Sequence, residues 1–139
     1  VTMTTVGVDY KTLRILIVED EAYTRVITKT LLRQLGVKDV EEAANGQEGL
    51  LKTAAWLPDV VLCDIHMSPV NGFEYLEKLR HHVHEGIRNT PVIFLTADSK
   101  RDTVMFAKEN GPHGFLVKPI SLNALKARLE TLPPPGKKL

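Results

Sequence analysis

The amino-acid sequence predicts an α/β domain, a doubly wound (βα)5 chain around a five-stranded parallel sheet. Apolar segments rich in β-branched residues alternate with segments of helical period along the whole chain. Two of the apolar segments, "ILIV" (15–18) and "VIFL" (92–95), are near-continuous, which suits strands covered on both faces rather than half-exposed ones. At 139 residues, 43% of them apolar and 25% charged, the chain suffices for one domain with a real core and is too short for two.

In order, the strand candidates are "LRILIV" (13–18), "DVEEA" (39–43), "DVVLC" (59–63), "PVIFL" (91–95) and "GFLV" (114–117). The first helical segment carries Tyr23, Val26, Ile27, Thr30, Leu31 and Gln34/Leu35 at helical spacing, with Gly36 placed as a C-terminal cap. The second opens at "NGQE", where Asn45 is the cap and Glu48 stands at capping-box spacing, and it stops before Pro58. The third aligns Phe73, Leu76, Leu79 and Val83 on one face. A fourth is expected from Ser99, with Asp102 at its third helical position. The fifth begins at Ser121 and lines up Leu122, Leu125, Leu129 and Leu132. Residues 1–12 are expected to be a flexible extension and 13–132 the domain. The final "PPPGKKL" (133–139) reads as a tail or the start of a semi-rigid linker.

Composition narrows the function classes. Eighteen basic against seventeen acidic residues leave a formal charge of +1, no general electrostatic reason for nucleic acid or an anionic membrane as partner. The single Cys63 excludes an internal disulfide. No stretch approaches the roughly 18 apolar residues of a membrane span or has the layout of a signal peptide, so the cytoplasm is the expected compartment.

The chemistry gathers where the strands end. Parallel sheets place ligands beyond the carboxyl ends of their strands. Here Glu19 and Asp20 follow the first strand, Asp64 the third, Thr96 the fourth and Lys118 the fifth. Acids at a helix start are ordinary, and that accounts for Glu21, but a cap needs one carboxylate and Asp64 arrives independently on a central strand. Three converging carboxylates repel unless a cation joins them, and hard oxygen donors with room for water suit Mg²⁺. With an ammonium and a hydroxyl beside the metal, Asp64 is a competent nucleophile toward phosphorus, so the pattern reads as an aspartyl-phosphate site.

These residues resemble a known family. "ILIVEDE", "AANGQEGL", "DVVLCDIHMSPVNGFEYLEKLR", "PVIFLTA" and "GFLVKPI" follow, in order and spacing, the receiver domain of two-component response regulators, over Leu13 to Leu132. The resemblance implies the CheY-like, flavodoxin-like fold with strand order 2-1-3-4-5. It implies Asp64 as phosphoacceptor and Glu19, Asp20, Asp64 and the main-chain carbonyl of His66 as Mg²⁺ ligands. Thr96 and Lys118 match the family's phosphoryl-binding hydroxyl and lysine, and Phe115 its aromatic switch position. The bond before Pro119 is expected to be cis. His66 and Asp98 occupy places that tune loss of the phosphoryl group. The implied partners are a histidine kinase or a phosphotransfer protein as donor and a downstream protein bound through the fourth helical segment, fifth strand and fifth helical segment. A homodimer is left open. The implied role is a signalling switch rather than an enzyme.

Three departures stand out. Ser68 occupies the place where the family usually has Pro, with Pro69 one residue later and Gly72 at its usual distance; Glu19 replaces the commoner Asp; Phe115 lacks a Tyr hydroxyl. Two rivals on a similar sheet fare worse: a flavin protein wants a phosphate-cradling loop after the first strand, and an aspartate-dependent phosphatase wants an acid where His66 stands. A receiver that never takes up phosphate is the third alternative, opposed by the retention of Asp64, Glu19, Asp20, Thr96 and Lys118. His81 and His84 read as a solvated helix end, Cys63 as a buried core residue and Trp56 as core or interface.

Overall fold

The computed structural model describes residues 8–97, 100 and 111–133. Five strands, β1 (Arg14–Val18), β2 (Asp39–Ala43), β3 (Val60–Asp64), β4 (Val92–Thr96) and β5 (Gly114–Val117), form one sheet in the order β2-β1-β3-β4-β5. Every pairing is parallel. The helices are α1 (Ala22–Leu35), α2 (Gly46–Trp56), α3 (Gly72–Arg80), the single turn α4 (Glu85–Arg88) and α5 (Leu122–Leu129). The fourth helical segment expected from Ser99 lies outside the described residues.

The strands sort their side chains by the two-residue period of the pleat. Leu16, Val18, Val61, Cys63, Val92 and Phe94 enter one core with Tyr75, Leu76 and Leu79 of α3. Ile15, Ile17, Val60, Leu62, Ile93 and Leu95 enter the other with Leu32 of α1 and Leu125 and Leu129 of α5. β1, β3 and β4 are therefore buried on both sides, as their uninterrupted apolar runs require, whereas the edge strand β2 alternates exposed and half-buried.

Local signals set the helix starts. Asn45 Oδ1 accepts from Glu48 N at 2.9 Å, but the Glu48 carboxylate takes Ala44 N rather than the cap's own N–H. The reciprocal capping box forms instead at α3, between Asn71 and Glu74. Ser121 Oγ accepts from Ala124 N and starts α5.

Three segments pack in ways that spacing leaves open. In α1 the first half of the apolar stripe faces outward, Tyr23, Val26 and Ile27 being 76%, 55% and 38% exposed, whereas Leu31 and Leu35 pack on the core and Thr28 and Leu32 are buried. Thr28 can turn inward because its hydroxyl donates to Thr24 O at 2.8 Å, satisfying itself within the helix. Val83 does not continue the α3 face. The helix stops at Arg80, whose guanidinium donates to the carbonyls of Arg88, Thr90 and Gly111, and Val83 is 92% exposed. Ahead of β1, Val8 and Tyr10 pack on the α1/α5 core and the Tyr10 hydroxyl donates to Glu130 Oε2 at 3.2 Å. Cys63 is buried, and Trp56 is half-buried beneath the Arg14 guanidinium, 4.5 Å from its ring centroid. Among the described residues no helix is long and apolar enough to cross a membrane.

Candidate functional site at the carboxyl edge of the sheet

Register brings the polar strand ends together. Val18 pairs with Cys63, Asp64 with Leu95 and Thr96 with Val117, so the residues that follow or close these strands line one edge. Lys118 is set by its own N–H, which donates to Thr96 O at 2.7 Å. Its Nζ donates to Glu19 Oε1 at 2.8 Å and Asp64 Oδ1 at 3.1 Å.

Glu19 and Asp20 diverge. Glu19 turns in and is fully buried, Asp20 turns out and is exposed, and Asp64 is nearly buried. Even so, Glu19, Asp20 and Asp64 each offer an oxygen within 4.8 Å of the others. Burial pushes the Glu19 carboxyl up to about 7; the Lys118 hydrogen bond opposes this, while the Asp64 charge adds to it. Burial works to lower the Lys118 pKa, yet the hydrogen bond to Glu19 and the charge of Asp64 outweigh it and leave it raised. Burial, then the charges of Asp64 and Glu19, push the Cys63 thiol well up, so it is an inert neighbour.

Fully ionised, three carboxylates facing one ammonium leave two negative charges. Oxygens on opposite sides of one Mg²⁺ lie about 4.2 Å apart, so the spacing suits a single small ion. All the donors are hard oxygens, and the exposed Asp20 side leaves room for water ligands. The residues fit a divalent cation.

The loop from Ile65 to Asn71 that borders the site is held by two glycines. A Cβ on Gly72 would lie 2.5 Å from Asp64 O and 2.8 Å from Ile65 Cα, so only glycine lets α3 start directly against the Asp64 peptide. Gly46 N donates to Val70 O at 3.1 Å, and a Cβ there would lie 2.5 Å from the same oxygen. Within the loop His66 is exposed and Met67 buried. The Ser68–Pro69 bond is cis, as is Lys118–Pro119.

Residues 15–130 match the family model of the response regulator receiver domain. The chain is a receiver domain. Its relatives include chemotaxis protein CheY-3 of Vibrio cholerae serotype O1, 34% identical over 122 residues that span 88% of this chain and 92% of that protein. CheY of Pseudomonas aeruginosa is 33% identical over 120 residues, 86% of this chain and 95% of the relative. Among solved structures, CheY4 of Vibrio cholerae superposes with a TM-score of 0.78 at 28% identity, over 88% of this chain and all of that one. The receiver domain of a Pseudomonas aeruginosa sensor histidine kinase, solved with a magnesium ion coordinated in its active site cleft, gives a TM-score of 0.77 at 25% identity, over 86% of this chain and 96% of the other. This chain's receiver chemistry is self-phosphorylation and dephosphorylation rather than that of a conventional enzyme.

Glu19, Asp20, Asp64 and Lys118 are joined by short distances. Thr96, buried, ends β4 beside them. Phe115, half-buried, lies two residues before the end of β5 and packs on the α3 side of the sheet. Asp98 lies outside the described residues. Sequence reasoning missed Arg25 of α1, whose Nη1 donates to the main-chain carbonyl of Glu19 at 2.5 Å. No local motif marks it, because its partner is a backbone atom.

Proposed function

We propose that the protein is a phosphorylation-dependent switch in a two-component phosphorelay, with Asp64 as the phosphoacceptor. Glu19, Asp20, Asp64 and the His66 carbonyl would hold Mg²⁺, which when bound neutralises charge on the phosphoryl oxygens. Asp64 attacks phosphorus in line, forming an O–P bond as the P–N bond of a donor phosphohistidine breaks and the imidazole leaves with the bond's electron pair. Lys118, already against Asp64, orients the acceptor and offers its ammonium to the equatorial oxygens. The Thr96 hydroxyl then donates to the new phosphoryl group and Phe115 packs inward behind it, biasing two packings of the β5 face toward one. His66 and Asp98 tune hydrolysis from the rim.

The observation that carries this reading is the meeting of three acids and one lysine at the carboxyl edge of a parallel sheet. The donor is a histidine kinase or phosphotransfer protein; the exposed Tyr23, Val26 and Ile27, one turn beyond Asp20, give its surface an apolar rim to cover. The downstream partner is a protein bound at the β5 face, and the compartment is the cytoplasm. Incubation with acetyl phosphate, with and without Mg²⁺, followed by intact-mass measurement, tests the acceptor. A metal-dependent gain of one phosphoryl group that disappears in Asp64→Asn is expected; no gain in the native protein leaves only a phosphate-independent binding module.

A further inference from the structure

We propose that Arg25 is a positioning residue for the acid pair, fixing the Glu19–Asp20 peptide so that one carboxylate turns into the site and the next faces its mouth. This rests on the reading of Glu19, Asp20 and Asp64 as ligands of a divalent ion. Glu19 stands where the sheet runs out. Its N–H still donates to Ala43 O at 2.9 Å, but the β1–β2 register ends at Val18 and Ala43, so its carbonyl has no place in that ladder. Arg25, one turn into α1, supplies the partner: Nη1 donates to Glu19 O at 2.5 Å while Nε pairs with Glu42 Oε1 at 3.1 Å. The second Glu42 oxygen is taken by Lys29 at 2.8 Å, so the carboxylate that orients Arg25 is itself held on both sides.

The planar fork of arginine makes both contacts at once; a lysine amine on a flexible stem keeps the charge but not the two directions. Positioning and bare charge predict opposite signs. A guanidinium near the acids repels a divalent cation, so its removal by charge alone tightens Mg²⁺ binding. If Arg25 instead holds the ligand peptide in place, its removal weakens binding, as losing a partner behind a metal ligand generally does, by about tenfold.

Calorimetric titration of the intact protein with MgCl₂ at pH 8 and low salt decides it. Arg25→Gln and Arg25→Lys are both expected to raise the Kd about tenfold, and Glu42→Gln, which loosens Arg25 but also frees Lys29 and removes a negative charge, to raise it less. Lys29→Gln, which removes the same charge from the same cluster without touching Glu19, is expected to leave the Kd within about twofold or lower it. Tighter binding in Arg25→Gln, or an unchanged Kd in Arg25→Lys, overturns the inference. If Arg25→Gln does not fold, Arg25→Lys, which keeps the charge, compared with Lys29→Gln, which removes one, separates positioning from charge in its place. Native protein that takes up no Mg²⁺ overturns the ion site and this inference with it; native binding with Arg25→Lys unaltered overturns the inference alone.

Discussion

Two glutamates, one on β2 and one just past the adjacent β1, show how differently one side chain is used. Glu42, on β2, has more cations than it needs: Arg25 and Lys29 bind its carboxylate and Lys52 donates to its carbonyl. The Lys29 hydrogen bond leads in pulling its pKa below the ordinary value, although burial opposes it. Glu19, just past β1, has the reverse arrangement. It is buried, meets buried Asp64 and exposed Asp20, and among the described residues shares Lys118 with Asp64, and burial lifts its carboxyl to about 7. A satisfied carboxylate fastens structure, whereas an undersupplied one has the charge to take a cation. The first belongs to the scaffold and the second to the ion site proposed above.

The strongest way to break this contrast is to remove the cation that the described residues place at the crowded side, Lys118. Lys118→Met leaves the acids with no neutralising partner, and stability at pH 8 should fall by about 3 kcal/mol, in the range for breaking a buried pair. Urea unfolding with and without Mg²⁺ checks both halves: the ion should recover most of the loss, and a loss indifferent to Mg²⁺ would mean that Lys118 acts only through packing.

A smaller effect separates the two glutamates by pH. Because the folded Glu19 carboxyl titrates near 7, above its ordinary 4.5, the folded state holds the extra proton between those values. Its contribution to stability is therefore present below pH 4.5 and lost as pH rises through 7. Replacing it with an uncharged isostere should recover about 2 kcal/mol at pH 8 and nothing at pH 4.5. Thermal unfolding of Glu19→Gln across this range checks it, and a difference that grows toward acid would reverse the assignment.

The smallest effect is at Glu42. Its folded pKa is depressed, so its contribution is present above the ordinary glutamate value and fades as pH falls through the folded one. The carboxylate is about a third exposed, which limits each pair, and Glu42→Gln should cost about 0.5–1 kcal/mol at pH 7, declining with acid and with salt. Urea midpoints at two ionic strengths check this; a salt-independent cost would place the effect in packing.

Much of the site was legible because a parallel strand announces its carboxyl end. An apolar run followed by a polar residue puts that residue at the sheet edge, and this alone located Glu19, Asp20, Asp64, Thr96 and Lys118. Helix periodicity was less informative. The stripe Tyr23, Val26, Ile27 has the spacing of a buried face, yet α1 buries Thr28 and Leu32 instead. An internally bonded threonine can be buried, and an apolar stripe can face water, so spacing alone does not choose the side. Val83 failed as a core residue for a related reason: Arg80 ends α3 by binding carbonyls eight, ten and thirty-one residues away.

The sequence by itself determined the alternation of strand and helix and the acids at the strand ends, since each is written in residues that are neighbours along the chain. Tertiary structure alone decided which face of α1 meets the sheet, that Glu19 is buried while Asp20 is exposed, and that Arg25 closes on a backbone carbonyl. Those outcomes depend on groups from different elements competing for the same space and the same charge, and no local pattern records who wins.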